Sequence, residues 1–97
     1  METFIILANF TQQGVEKIKE SPDRLAGAKK AFAAAGAEMK QFFLVTGQYD
    51  MVVIVEAPDA AAVAKAVLTI ASAGSVRSET LRAFTEAEYR DIVAALP

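Results

Sequence analysis

The residues best equipped for chemistry in this 97-residue chain are a tyrosine and an aspartate side by side, at the end of the run Gly47-Gln48-Tyr49-Asp50. A phenol oriented by a neighbouring carboxylate can donate a hydrogen bond or act as an acid, with an ordinary pKa of about 10. The same four residues also read as a turn. Gly47 would take a positive φ, Tyr49 would lay its ring over the sheet end, and Asp50 would cap turn N–H groups. A second set is basic. Lys19, Arg24, Arg77 and Arg82 could line an anion site near a helix opening at Ser21-Pro22, where exposed N–H groups favour a carboxylate or phosphate. Alternatively they are surface charges paired with Asp23, Glu79 or Glu86. No group that titrates near neutral pH is visible, so proton abstraction would need a strongly shifted carboxylate or lysine.

Composition removes most other chemistries. Cysteine and histidine are both absent, which excludes disulfides, thiolate nucleophiles, Cys/His zinc sites and the Ser-His-Asp triad. No Asp-x-Asp-x-Asp loop exists to hold calcium. The reading therefore expects no metal and no cofactor. Net charge is −2, from 12 acidic and 10 basic residues, which gives no electrostatic case for nucleic acid. No apolar run approaches the ~20 residues needed to span a bilayer, and the start has no basic segment before its apolar run. A soluble, cytoplasmic protein of one domain over residues 1–97 is expected.

The elements that must position these residues follow from patterning. Thr3–Phe10 and Met51–Glu56 are nearly continuous apolar runs rich in β-branched residues, the pattern of strands buried on both faces. Glu38–Thr46 and Val76–Phe84 carry charges and read as edge strands. Thr11 can cap a short helical turn reaching Lys19. Ser21-Pro22-Asp23 starts a longer helix to about Ala35, with Leu25, Ala28, Phe32 and Ala35 on one stripe and Gly36 as its stop. Pro58-Asp59 opens a helix over Ala60–Ala73, and Thr85-Glu-Ala-Glu88 is a capping box for a last one.

The order β-α-β-β-α-β plus a C-terminal helix is the split βαβ unit, an α+β, ferredoxin-like fold with a four-stranded antiparallel sheet. Strands one and three then lie in its centre. Strand one offers Phe4, Ile6, Ala8 and Phe10 to one side and Ile5 and Leu7 to the other, and strand three offers Met51, Val53 and Val55 against Val52 and Ile54. Both faces want burial, yet the helices cover one face alone. Large apolar side chains left wet forfeit roughly 1.5–3 kcal/mol each. A second copy packed sheet to sheet is the simplest remedy, and the alternative is the C-terminal helix folding back over its own sheet.

Three ordered blocks carry a family resemblance: Thr11-x-x-Gly14-x-x-x-Ile18-Lys19-x-Ser21-Pro22-x-Arg24, then Gly47-Gln48-Tyr49-Asp50, then Gly74-x-Val76-Arg77-x-Glu79-Thr80-Leu81-Arg82-Ala83-Phe84-Thr85. Together they resemble the GYD domain, a group of small bacterial proteins named for a Gly-x-Tyr-Asp signature. The resemblance implies a ferredoxin-like fold of the dimeric α+β barrel kind, and it supplies no reaction. Val45-Thr-Gly-Gln-Tyr-Asp50 is also similar to a stretch in the effector domain of leucine-responsive regulators, where it helps form an amino-acid site at a subunit interface. No helix-turn-helix accompanies it here.

The sequence therefore points to a homo-oligomeric small-molecule-binding or interaction module, its site near Lys19, Arg24, Tyr49, Asp50, Arg77 and Arg82. The alternative, implied by the similar architecture of the dimeric α+β barrel enzymes, is a cofactorless monooxygenase or isomerase acting on a small hydrophobic metabolite, which requires an enclosed apolar cavity with a shifted Tyr, Asp or Glu pointing into it.

Overall fold

Alternation along the two central strands dictates the sheet. In the computed structural model, which covers Met1–Pro97, the middle of β1 (Glu2–Phe10) and the whole of β3 (Met51–Ala57) bury every second residue. β2 (Glu38–Leu44) and β4 (Val76–Ala83) flank them. The antiparallel order is β2-β3-β1-β4, so the apolar strands are central and the charged ones are edges. This is the ferredoxin-like α+β arrangement expected. β2 has an irregularity between Met39 and Gln41, and Lys40 there bridges Glu38 and Glu56 at 3.6 and 3.5 Å.

Two helices cover one face. α1 (Gln12–Glu16) leads through a 3-10 turn, Ile18–Glu20, into α2 (Ser21–Ala34), and α3 (Ala60–Ser72) follows β3. Phe32 of α2 and Ala62, Val63 and Ala66 of α3 pack on Phe4, Ile6, Val53, Val55 and Ala57 of the sheet. Capping chemistry sets the helix starts. Thr11 accepts from the Gly14 N–H at 3.2 Å and Asp59 from the Ala62 N–H at 2.9 Å. Ser21 differs from expectation. It is already helical, at φ −55° and ψ −42°, and makes no capping bond, because the 3-10 turn runs straight into the helix.

α1 is stapled to the corner between α3 and β4. The Thr11 hydroxyl donates to the Gly74 carbonyl at 2.6 Å, and the Thr11 N–H to the Ser75 carbonyl at 3.0 Å. Gly14 makes this approach possible, since a Cβ there would stand 2.2 Å from the Ser75 carbonyl oxygen.

The opposite face of the sheet carries Ile5, Leu7, Val52, Ile54, Phe43 and Leu81, with Glu79 and Arg77 along its β4 edge. No helix of the chain covers it. α4 (Glu86–Ala94) has the expected Thr85–Glu88 capping box, yet it buries none of its own residues. Tyr89, Ile92, Val93 and the following Leu96 stay exposed, and the molecule is correspondingly long, 52 × 30 × 17 Å. Only 14 of 97 residues are buried, which a chain this apolar does not need to accept if another surface covers it. No helix is long and apolar enough to cross a membrane.

Candidate functional site

The signature turn sits at the sheet end where β3 begins. Gly47 has φ +154°, a value that side-chain-bearing residues rarely adopt. The Val45 N–H donates to the Asp50 carbonyl at 2.8 Å and the Asp50 N–H to the Ala8 carbonyl at 2.9 Å. The Asp50 carboxylate reaches sideways and accepts from the Phe10 N–H at 3.0 Å. Its work is therefore to fasten the last residue of β1 to the start of β3, and it does not bond Tyr49.

Tyr49 instead reaches across β1 to the edge strand, where its hydroxyl donates to Glu79 Oε2 at 2.8 Å. That hydrogen bond, and next the negative charge of the same carboxylate, raise the Tyr49 pKa above its ordinary value. The phenol stays protonated and acts as a donor. Leu7, Asn9, Tyr49, Arg77, Ser78 and Glu79 line a shallow open groove here of about 280 Å³, at the rim of the uncovered sheet face.

The basic residues do not converge. Arg77 lies in this groove beside Tyr49. Arg82 is far along β4 on the helix-covered face, opposite Phe4 in register. There it stacks 4.4 Å from the Phe84 ring centroid, pairs with Glu2 at 3.4 Å and Glu88 at 3.7 Å, and donates to the Thr3 and Ala83 carbonyls. Arg82 ties the start of β1 to α4 and is occupied by that task. Lys19 is exposed in the 3-10 turn and pairs with no carboxylate within 4 Å. Arg24 donates to the Lys17 carbonyl at 2.9 Å and the Gly14 carbonyl at 3.2 Å, with Glu20 at 4.0 Å. The expected partners Asp23, Glu79 and Glu86 bind none of these four arginines and lysines. A single four-cation site is thus not what the fold assembles, because β4 presents Arg77 and Arg82 to opposite faces and the α1 staple claims Arg24.

Leu7, Asn9, Ser78 and Glu79 of this groove are not among the site residues expected from sequence, and Glu79 is the charged one of the four. Its face was readable from strand alternation, but its meeting with Tyr49 depends on the pairing of β4 with β1, which puts Glu79 opposite Leu7.

A separate cavity of about 330 Å³ lies on the covered side, between α2, α3 and the sheet. Its walls are mostly apolar, with Phe32, Phe42, Met51, Val53, Val67 and Ile70 among them, and Arg24 is the only charged residue on them. No Tyr, Asp or Glu lines it, so this partly open hollow lacks the acid or base that a cofactorless enzyme would need.

Comparisons with known proteins agree with this architecture. The model of the GYD domain family matches residues 4–93. A protein of Thermus thermophilus named "Glutamine synthetase and cystathionine beta-lyase binding protein" is 39% identical over 97 residues, covering 99% of each chain. The crystal structure of TTHA0845, also from Thermus thermophilus, superposes with a TM-score of 0.57 at 28% identity, over 88% of this chain and 95% of that one.

Proposed function

The chain belongs to the GYD domain family, and on that premise we propose that it is a homo-oligomeric interaction module without catalytic turnover. A second copy covers the open sheet face and receives the apolar stripe of α4. The Tyr49–Glu79–Arg77 groove, left at the rim of that contact, is where a small molecule or a client protein reaches the assembly. The observation that carries this reading is the uncovered face itself. Ile5, Leu7, Val52 and Ile54 run across its two central strands, and α4, the one element free to cover them, projects away with Tyr89, Ile92, Val93 and the adjoining Leu96 exposed. Apolar area of this kind is stabilising only when removed from water, and a symmetric partner offers the same patch in return.

The name of the Thermus relative supports the choice of proteins as clients, because it describes that protein as binding two enzymes. The test is direct. Glutamine synthetase and cystathionine β-lyase from the organism that makes this chain are each mixed with it and followed by sedimentation velocity. The expected result is co-sedimentation with at least one of them, weakened by Arg77→Ala or Glu79→Ala in a chain that stays folded. Independent sedimentation of both enzymes at every ratio would overturn the client assignment.

A further inference from the structure

We propose that the cavity between α2, α3 and the sheet binds a small monocarboxylic acid with an apolar body, its carboxylate held by Arg24. The inference is independent of the assembly, since the cavity lies on the helix-covered face and not on the open one. Two faults in the packing motivate it. A volume of about 330 Å³ stands at the lower end of small-molecule sites and far above the voids of a close-packed interior. Its wall is built from small residues on α2, including Gly27, Ala28 and Ala31, facing Phe42, Val53 and Ile70. An apolar ligand would restore the contacts those side chains lack.

The second fault is polar. Arg24 lines the cavity, and its Nε is buried with no hydrogen-bond partner. Native structures rarely leave such a donor unpaired, because it keeps its desolvation penalty with no bond in return. Its two terminal nitrogens each donate one hydrogen bond, to the Lys17 and Gly14 carbonyls, and Nε is the one guanidinium nitrogen that has no partner. One carboxylate oxygen satisfies it, and the hydroxyls of Ser21 and Ser75, both on the lining, are available to the other. A phosphate would need more donors than this, and a dicarboxylate would bury its second charge among apolar side chains. The first turn of the 14-residue α2, which begins at Ser21, adds its positive end to the same region.

The experiment is a titration of the isotopically labelled full-length chain with octanoate, 1-octanol and octanedioate, read by the amide and arginine Nε–H resonances. Octanoate should move the Arg24 Nε–H and the Ala28, Val53 and Ile70 amides saturably, and should bind at least about tenfold more tightly than 1-octanol or octanedioate, as a charge-assisted hydrogen bond requires. Arg24→Gln should lose about that factor for octanoate and leave 1-octanol unchanged. Because Arg24 also staples α1, Ala28→Phe provides a second test that fills the hollow while keeping the guanidinium. It should abolish binding of both ligands. Equal affinities for octanoate and 1-octanol on the native chain, shifts confined to the open sheet face, or no saturable shift would each overturn the proposal.

Discussion

Replacing Asp50 by alanine tests what the signature aspartate does. In the structure its carboxylate has one protein partner, the Phe10 N–H at 3.0 Å, and the link spans 40 residues of chain. Removing it leaves a strand-end N–H without an acceptor in a partly buried position. A hydrogen bond to a charged group contributes roughly 1.5–3 kcal/mol when buried. Partial exposure places this one at the low end, about 1–2 kcal/mol, since water can take up some of the loss. Urea unfolding followed by circular dichroism, at one fixed protein concentration, measures it. With a slope of about 1–1.5 kcal/mol/M for a chain of this size, the midpoint should fall by roughly 1 M. Asp50→Asn keeps an acceptor and should lose less than about half of that. Tyr49→Phe gives up one exposed hydrogen bond to Glu79 and should lower the midpoint by less than Asp50→Ala does. An unchanged midpoint in Asp50→Ala, or a larger loss in Tyr49→Phe than in Asp50→Ala, would refute this division of labour.

Three further outcomes are expected. Gly14→Ala drives a Cβ to 2.2 Å from the Ser75 carbonyl oxygen and should destabilise by about 1–3 kcal/mol through forced backbone movement, measured by thermal unfolding; an unchanged midpoint would show that the α1 staple yields freely. The Tyr49 phenol, held protonated by Glu79, should contribute stability below pH about 10 and lose it as pH rises through its higher folded value. Ultraviolet titration in a Tyr89→Phe background should show that elevation disappear in Glu79→Gln, and its persistence would remove Glu79 as the cause. Glu88 has its pKa lowered, first by its bond from the Thr85 N–H. Its contribution to α4 is thus present above the ordinary carboxylate value and lost as pH falls through the folded one, so the α4 amides should lose helical shifts on acidification, less steeply in Glu88→Gln.

The sheet was readable because β1 and β3 are apolar through their middles on both faces while β2 and β4 are not, and that contrast alone sorts central from edge strands. The capping box at Thr85 and the helix start at Pro58-Asp59 were equally plain, being local patterns of residue type. What stayed hidden depends on register and on distant pairing. Strand alternation already sets Arg77 with Glu79 on one face and Arg82 with Ser78 and Thr80 on the other, but it does not show that Arg82 is taken up by Glu2 and Glu88. Tyr49 and Glu79 meet only because β4 adds to the far side of β1. The cavity left a fainter trace. Ala28 was assigned to the core stripe of its helix, but alanine and glycine on α2 leave a gap where larger side chains would close it. Whether α4 folds back over the sheet could not be decided by its amphipathic pattern, since the same stripe serves a home sheet or a neighbour's.

Sedimentation equilibrium over a roughly hundredfold range of concentration weighs the claim that another copy covers the open sheet. The account predicts a mass of two chains or more, reduced to one by Ile54→Lys, which places a charge at the centre of the contact. A folded native chain that sediments as a monomer throughout would contradict it.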